Sequence, residues 1–228
     1  MKNKYLEHAH VDERTFRQIL RYFCLDIEAK KVAEITHISR QSINKLFYYF
    51  RIRIKEICDE DTICSDGEYE LDESYFGARR VRGIRGRGAK GKTIVFGILK
   101  RGGNVSTFVV RDCKYSTLLP LIKQVISSNS TIYTDGYTTY QHLIDNGFSN
   151  HLTVNHNNNE FARNGKIHTN GIENFWGLCK SRLTKFRGID KQTFILHIKE
   201  CEFRYNHRHE NLFNFLLKNF RKKPLKLS

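Results

Sequence analysis

Residues 68–77, Glu-Tyr-Glu-Leu-Asp-Glu-Ser-Tyr-Phe-Gly (EYELDESYFG), mark where the chain changes character. Ahead of them no Gly or Pro occurs before Gly67, and apolar residues recur at helical spacing over residues 1 to about 60. EYELDESYFG itself alternates and predicts a strand. TIVFGILK (93–100) and VSTFVVRD (105–112) predict two more, joined by the turn Arg101-Gly102-Gly103-Asn104. STLLPLIKQVISS (116–128) has helical periodicity, with Pro120 expected in the first turn. TIYTD (131–135) predicts a short buried strand, and GYTTYQHLIDNG (136–147) a short helix closed by Gly147. NHLTVN (150–155) predicts a fifth strand, and the polar stretch down to Gly171 a loop. IENFWGLCKSRLTKF (172–186) and KQTFILHIKECEFRYNHR (191–208) read as helices. The order predicts a mixed α/β domain over 66–210, behind a helical domain over 1–62 and ahead of a basic tail over 211–228.

Composition narrows the partner. Hydrophobic residues are 39% and only two prolines occur in 228 residues, an ordinary globular balance. The charge is less ordinary: 39 Lys+Arg against 24 Asp+Glu give +15, which favours a polyanion. Apolar runs such as TIVFGIL are too short to span a bilayer, and the start MKNKYLEHAHVDE has no signal-peptide core. A cytoplasmic, nucleoid-associated protein with a nucleic-acid partner and no membrane is expected. The six cysteines form no C-x-x-C pair, so reduced and mostly buried thiols are expected in place of a zinc ribbon.

Within the helical domain, AKKVAEITHISRQSINKLFYYFR (29–51) predicts two helices joined at Thr36-His37-Ile38, with Ser39 as N-cap of the second. That is the layout of a helix-turn-helix, with Arg40, Gln41, Asn44 and Lys45 turned outward toward a DNA groove. A helical hairpin that only packs fits the same pattern, and the turn lacks the usual glycine.

The stretch GRGAKGKT (86–93) fits both G-x-x-x-x-G-K-[ST] and, in its first six residues, G-x-G-x-x-G. A phosphate loop requires an apolar strand before it and a helix after it. Here the cationic ARRVRGIR precedes and the β-branched TIVFGIL follows, so no nucleotide is expected. Seven cations lie between Arg79 and Lys92, and no acid occurs from Ser74 to Arg111. A solvated charged loop accounts for this, as does an arm on a phosphate backbone using Arg85, Arg87, Lys90 and Lys92.

Three acids stand out against that background: Asp72 in the first strand, Asp135 ending TIYTD, and Glu173 opening a helix. Each alone has an ordinary reading, Asp135-Gly136 as a turn and Glu173 as a helix N-terminal acid. Glu70 shares a strand face with Asp72 and can assist or replace it, whereas Glu73 falls on the opposite face. Lys180, two turns after Glu173, either holds a phosphate or is a surface lysine. His168 and Asn170 neighbour Glu173, His151 and His156 read as loop or core, and Phe175, Trp176, Phe203 and Tyr205 read most simply as core.

The pieces DESYFG, RGRGAKGKTIVFGI, TLLPLI, IYTDGYTTY, VNH, HTNGIENFWGLCK and FRYNHR run in order over about residues 68–208. Together they resemble a bacterial insertion-sequence transposase of the DDE type. The resemblance implies an RNase H-like fold, a mixed five-stranded sheet flanked by helices, with the first and fourth strands as central neighbours. It implies Asp72, Asp135 and Glu173 as catalytic residues holding two Mg²⁺ or Mn²⁺ ions, hard cations that suit carboxylate oxygens. It further implies cleavage and 3′-OH strand transfer on double-stranded DNA, both terminal inverted repeats and target, by a homodimer or higher synaptic assembly. Longer relatives carry an N-terminal zinc ribbon that has no counterpart here. A DNA-binding repressor that no longer cuts, or an RNase H-like nuclease without strand transfer, are the competing readings; the presence of all three acids favours an enzyme.

Overall fold

Strand β2 (Glu68–Phe76) sits at the centre of the sheet and decides its geometry. The computed structural model describes residues 3–7, 11–77, 91–135, 138–154, 168–186 and 188–226. Contacts divide the chain into two compact units, one formed by residues up to Ile57 together with those from His207 onward, the other by Cys58–Asn206.

In the larger unit, β2 pairs antiparallel with β3 (Thr93–Lys100) and parallel with β5 (Thr131–Asp135). β4 (Val105–Val110) lies outside β3 and β6 (Asn150–Val154) outside β5, giving the order β4-β3-β2-β5-β6. The three antiparallel strands are adjacent in sequence. The β2–β5 and β5–β6 pairs are parallel and need crossovers, supplied by α4 (Tyr115–Val125) and a 3-10 helix (Thr138–Asn146). All five strands fall where the sequence places them, and the architecture is the expected RNase H-like one.

Side-chain alternation loads the two sheet faces separately. Tyr69, Leu71, Phe96, Ile98 and Ile132 pack with Leu118 and Ile122 of α4 and with Tyr140 and Leu143 of the 3-10 helix. On the other face Phe76, Val95, Leu99 and Val105 pack with α5 (Asn170–Leu183) and α6 (Phe194–Asn206). Phe175 and Trp176 are buried there, with Tyr205 packed against them, and Phe203 is likewise buried, as expected of core aromatics. Buried ion pairs fix α6: Glu200 meets Arg182 at 2.5 Å and Arg204 at 2.9 Å, and Glu202 meets Lys199 at 2.9 Å. Glu202 also accepts from the backbone N–H and hydroxyl of Thr107, which ties α6 to β4.

Pro120 is a departure from expectation. It is the sixth residue of α4, not a first-turn residue, because the helix begins at Tyr115 with Lys114 as its cap. Its missing N–H leaves one carbonyl without its helical partner, tolerated because Pro120 is on the exposed side.

The smaller unit holds α1 (Glu13–Cys24), α2 (Ala29–Thr36) and most of α3 (Arg40–Glu60). Asp12 caps α1 by accepting from Thr15 N at 2.8 Å. Phe16, Phe23, Phe47 and Phe50 form an edge-to-face aromatic core, with Phe16–Phe50 centroids 5.6 Å apart. Residues 211–228, expected as a basic tail, instead form α7 (Leu212–Lys222) and a short strand β7 (Leu225–Lys226) parallel to β1 (Leu6–Glu7). The reason is burial: Leu216 and Phe220 enter the aromatic core, and Phe220 stacks on Phe50 at 5.3 Å. Arg53 then donates to Asn219 Oδ1 at 3.0 Å and to the Lys223 carbonyl at 2.7 Å, satisfying the end of α7. Among the described residues no helix is long and apolar enough to cross a membrane.

Candidate active site

Register brings the first two acids together. In the parallel β2–β5 ladder Tyr69 faces Ile132, Glu70 faces Tyr133 and Leu71 faces Thr134. Continuing by one residue sets Asp72 beside Asp135 on neighbouring strands, which lie about 4.8 Å apart in any sheet. Alternation gives them the same face: Tyr69 and Ile132 point to α4, so Asp72 and Asp135 point to the face that α5 covers.

Two glycines let α5 come close to the sheet. A Cβ on Gly97 of β3 would lie 2.5 Å from Trp176 Cζ2 and 2.9 Å from Ile172 Cδ1. A Cβ on Gly171 would lie 2.6 Å from Leu99 Cδ2 and 2.8 Å from Glu70 Oε2. The first turn of α5 therefore lies directly on β2 and β3. Glu70, 1% exposed, clamps it by accepting from Ile172 N at 2.9 Å. Glu173, the next residue, is exposed, and its Oε1 accepts from Thr169 Oγ1 at 3.2 Å.

Arg101, which sequence reasoning passed over as a turn residue, organises this end of the sheet. Its Nε donates to Glu70 Oε1 at 2.9 Å, one terminal nitrogen to Glu68 at 3.2 Å, and the other to the His168 carbonyl at 2.5 Å. Its guanidinium stacks 3.6 Å from the centre of the Tyr133 ring. One side chain thus joins β2, β5 and the residues leading into α5. Glu70, which alternation put beside Asp72, is committed to Arg101 and the α5 backbone, with His168 Nδ1 3.4 Å away. Its geometry is that of a positioning residue.

The charges of neighbouring acids are felt at Asp72. Burial, then the negative charges of Glu73 and Asp135, with a smaller contribution from Glu173, push the Asp72 carboxyl up to about 7, partly opposed by the Glu73 N–H. That N–H donates to Asp72 Oδ1 at 2.8 Å. Glu73 lies on the opposite face, as alternation requires, and accepts from the Tyr140 hydroxyl. Burial raises its pKa, with Asp135 adding to the rise and the Tyr140 bond opposing it. Tyr140 is a feature the sequence offered, five residues beyond Asp135, without revealing its partner.

Carboxylate oxygens are the donors that suit a hard divalent cation, and negative neighbours raise the Asp72 carboxyl where such a cation would offset them. Among the described residues, no three His, Cys, Asp or Glu side chains are already drawn together as a metal cage. Asp72 and Asp135 are half-buried and Glu173 exposed.

The remaining sequence-predicted positions divide as follows. Arg40, Gln41, Asn44 and Lys45 are exposed on one side of α3, while Ile43, Leu46 and Phe47 are buried on the other. Ser39 caps α3, its Oγ accepting from Ser42 N at 3.1 Å. His37 takes the left-handed conformation at φ 55° that a glycine usually supplies at such a turn. Lys180 is exposed, with Nζ 5.9 Å from the Phe76 ring at the end of β2. Lys92 is half-buried just before β3, whereas Arg85, Arg87 and Lys90 lie outside the described residues, as does His156. Thr93 opens a strand, so no helix N-terminus follows GRGAKGKT to meet a phosphate. His151 bonds Thr134 Oγ1 through Nε2 at 2.8 Å, and burial lowers its pKa, consistent with a structural role. Cys58, Cys179 and Cys201 are buried, Cys24 and Cys113 partly so and Cys64 exposed; all six are free thiols.

Comparison with known proteins matches residues 65–206 to the ISXO2-like transposase domain. An uncharacterized transposase-like protein of Haemophilus influenzae is 43% identical over 102 residues, covering 45% of this chain and 80% of that protein. An uncharacterized protein in the transposable element ISH50 of Halobacterium salinarum is 29% identical over 155 residues, 61% of this chain and 52% of that protein. This chain thus spans about half the length of the second relative.

Proposed function

The chain belongs to the ISXO2-like transposase family, and from that premise we propose that it cuts DNA at element ends and joins the freed 3′-OH to target DNA, using Asp72, Asp135 and Glu173. What supports this reading is the parallel β2–β5 register, which runs to Leu71–Thr134, one residue short of Asp72 and Asp135, together with the effect of the Asp135 and Glu173 charges on the Asp72 carboxyl. Mg²⁺ or Mn²⁺, two ions per site, would supply charge to activate an attacking oxygen and to stabilise a leaving 3′ oxygen.

The chain's own residues do the rest. Asp72 and Asp135, fixed by the β2–β5 register, offer oxygens from a rigid floor, and Glu173 offers one from a movable side chain above it. Glu70 and Arg101 hold the first turn of α5 so that Glu173 stays over the floor. Trp176 and Ile172 close the apolar side of the site against Gly97. Lys180, exposed two turns farther along α5, would meet a phosphate of the bound strand. Binding of the ends falls to the helical unit, where Arg40, Gln41, Asn44 and Lys45 present two cations and two amides from the start of α3, the arrangement with which a recognition helix reads a major groove. Lys92 and the cations of residues 79–90 add backbone contacts. Two copies acting on two ends is the assembly this chemistry calls for.

The test is a strand-transfer assay with an oligonucleotide duplex bearing the flanking ends of the protein's own genomic locus and a supercoiled plasmid as target. Covalent end–plasmid products are expected. Cut ends with no joined product, at any Mg²⁺ or Mn²⁺ concentration, would instead support a nuclease.

A further inference from the structure

The helix at the C-terminal end of the chain carries a feature that the recognition stripe on α3 does not explain. Residues 211–228 hold five cations, Lys218, Arg221, Lys222, Lys223 and Lys226, and no Asp or Glu. An exposed helix face that serves only solubility mixes the two signs of charge. Two of the five have internal partners: Lys223 Nζ is 3.0 Å from Glu56 and Lys226 Nζ 3.6 Å from Glu7. Lys218, Arg221 and Lys222 are exposed and make no ion pair among the described residues. Leu216 and Phe220 face the core, so the three cations are held on the outer side by packing behind them.

The outer face is also shaped. A cleft of about 400 Å³ runs along it, lined by Glu210, Asn211, Asn214, Phe215, Lys218, Asn219 and Lys222. Glu210 is bonded to His207 Nδ1 at 2.8 Å. Asn214, Lys218 and Lys222 follow each other at intervals of four residues, so their side chains fall in a row. Eight residues of helix span about 12 Å, a length of duplex axis that carries about seven phosphate charges. Lysine and asparagine donors in a row match the chemistry of phosphate contacts, which position a duplex without specifying its sequence.

We propose that the outer face of α7 is a second DNA-contact surface of the helical unit, gripping the phosphate backbone of double-stranded DNA through Lys218, Arg221 and Lys222. The proposal rests on the reading of the protein as a DNA transposase. It adds a surface that works by charge alone, separate from the residues of α3 that would read bases.

The experiment measures binding of the full-length protein to two duplexes of equal length, one with the locus ends and one unrelated, across a salt series. The variant is Lys218→Gln/Arg221→Gln/Lys222→Gln, three exposed changes to a residue of similar helix propensity. Each lost phosphate contact lowers the slope of log affinity against log salt by about 0.9, so a fall of about two to three is expected, equal on both duplexes. Lys218→Arg/Lys222→Arg should keep the wild-type slope, which a merely structural loss would not. A triple-variant slope within about half a unit of wild type, with wild-type binding intact, overturns the α7 surface and leaves the transposase reading standing. Absence of any wild-type DNA binding overturns both, and wild-type binding to phosphatidylserine vesicles but not to DNA assigns the face to a membrane and overturns it as well.

Discussion

Replacing Gly97 by alanine should disable the site by moving α5. The added methyl would stand 2.5 Å from Trp176 Cζ2, 2.9 Å from Ile172 Cδ1 and 2.9 Å from Trp176 Cη2. Non-bonded carbons rest at about 3.5–4.0 Å, so the helix must retreat by roughly 1 Å. The indole has no free path aside: it is 3% exposed and wedged against Phe175 at 5.0 Å and Phe76 at 6.0 Å. Overpacking of this kind costs about 1–3 kcal/mol. Ile172 immediately precedes Glu173, so the retreat carries the third carboxylate away from Asp72 and Asp135. A misplacement of about 1 Å lowers a rate by about 100-fold. The control is Gly177→Ala on the same helix, where an added Cβ meets nothing within 4 Å. That change should raise stability by up to about 1 kcal/mol and leave cleavage intact. Urea unfolding and an end-cleavage assay on both variants read the two effects. Gly97→Ala with wild-type stability and wild-type cleavage would refute the close-packing argument.

Other expectations follow from the same geometry. Arg101→Ala leaves the buried Glu70 without its guanidinium and should cost about 3–5 kcal/mol, toward the lower figure because Ile172 N remains a donor. Arg101→Lys should recover part of the stability but little cleavage, since one ammonium cannot reach Glu68, Glu70 and the His168 carbonyl together; equal recovery of both would contradict a positioning role. Asp72 holds its proton up to about pH 7 in the metal-free fold and to about 3.8 when free. The folded state therefore binds the extra proton between these values, so metal-free stability should decline as pH rises from about 4 to 7. Thermal melts of Asp72→Asn should lack that part of the decline. In the smaller unit, Arg40→Ala/Gln41→Ala should weaken binding to locus ends more than to unrelated DNA, whereas Asp135→Asn should bind both normally; matched losses in the two variants would argue against a division between binding and chemistry.

How much of this was legible in the sequence depended on whether local pattern or distant contact was the cause. The five strands were readable because alternation and turn residues are local signals, and both Asp72 and Asp135 lie on strands that register fixes. The inner and outer sides of α3 were readable from helical spacing, and Ser39 from its capping chemistry. Arg101 was not. A hairpin-turn arginine looks solvated until folding brings Glu70, Tyr133 and the His168 carbonyl around it, across 31 to 67 residues of chain. Gly97 and Gly171 likewise looked like ordinary glycines in a strand and at a helix start, and only the packed helix shows what a Cβ would strike. The helix α7 was overlooked for a different reason. The five cations of residues 211–228 obscured Leu212, Phe213, Leu216, Leu217 and Phe220, whose spacing is that of an amphipathic helix.

The central claim is that Asp72, Asp135 and Glu173 act as one metal-dependent unit on DNA. Its most direct test is cleavage of a duplex bearing the locus ends, by wild type and by Asp72→Asn, Asp135→Asn and Glu173→Gln separately, with and without Mg²⁺ or Mn²⁺. Wild-type cutting only in the presence of the divalent ion, with each single variant reduced by about 100- to 1,000-fold or more, is the predicted result. Undiminished cutting by any one of the three folded variants, or wild-type cutting unaffected by a chelator, would contradict it.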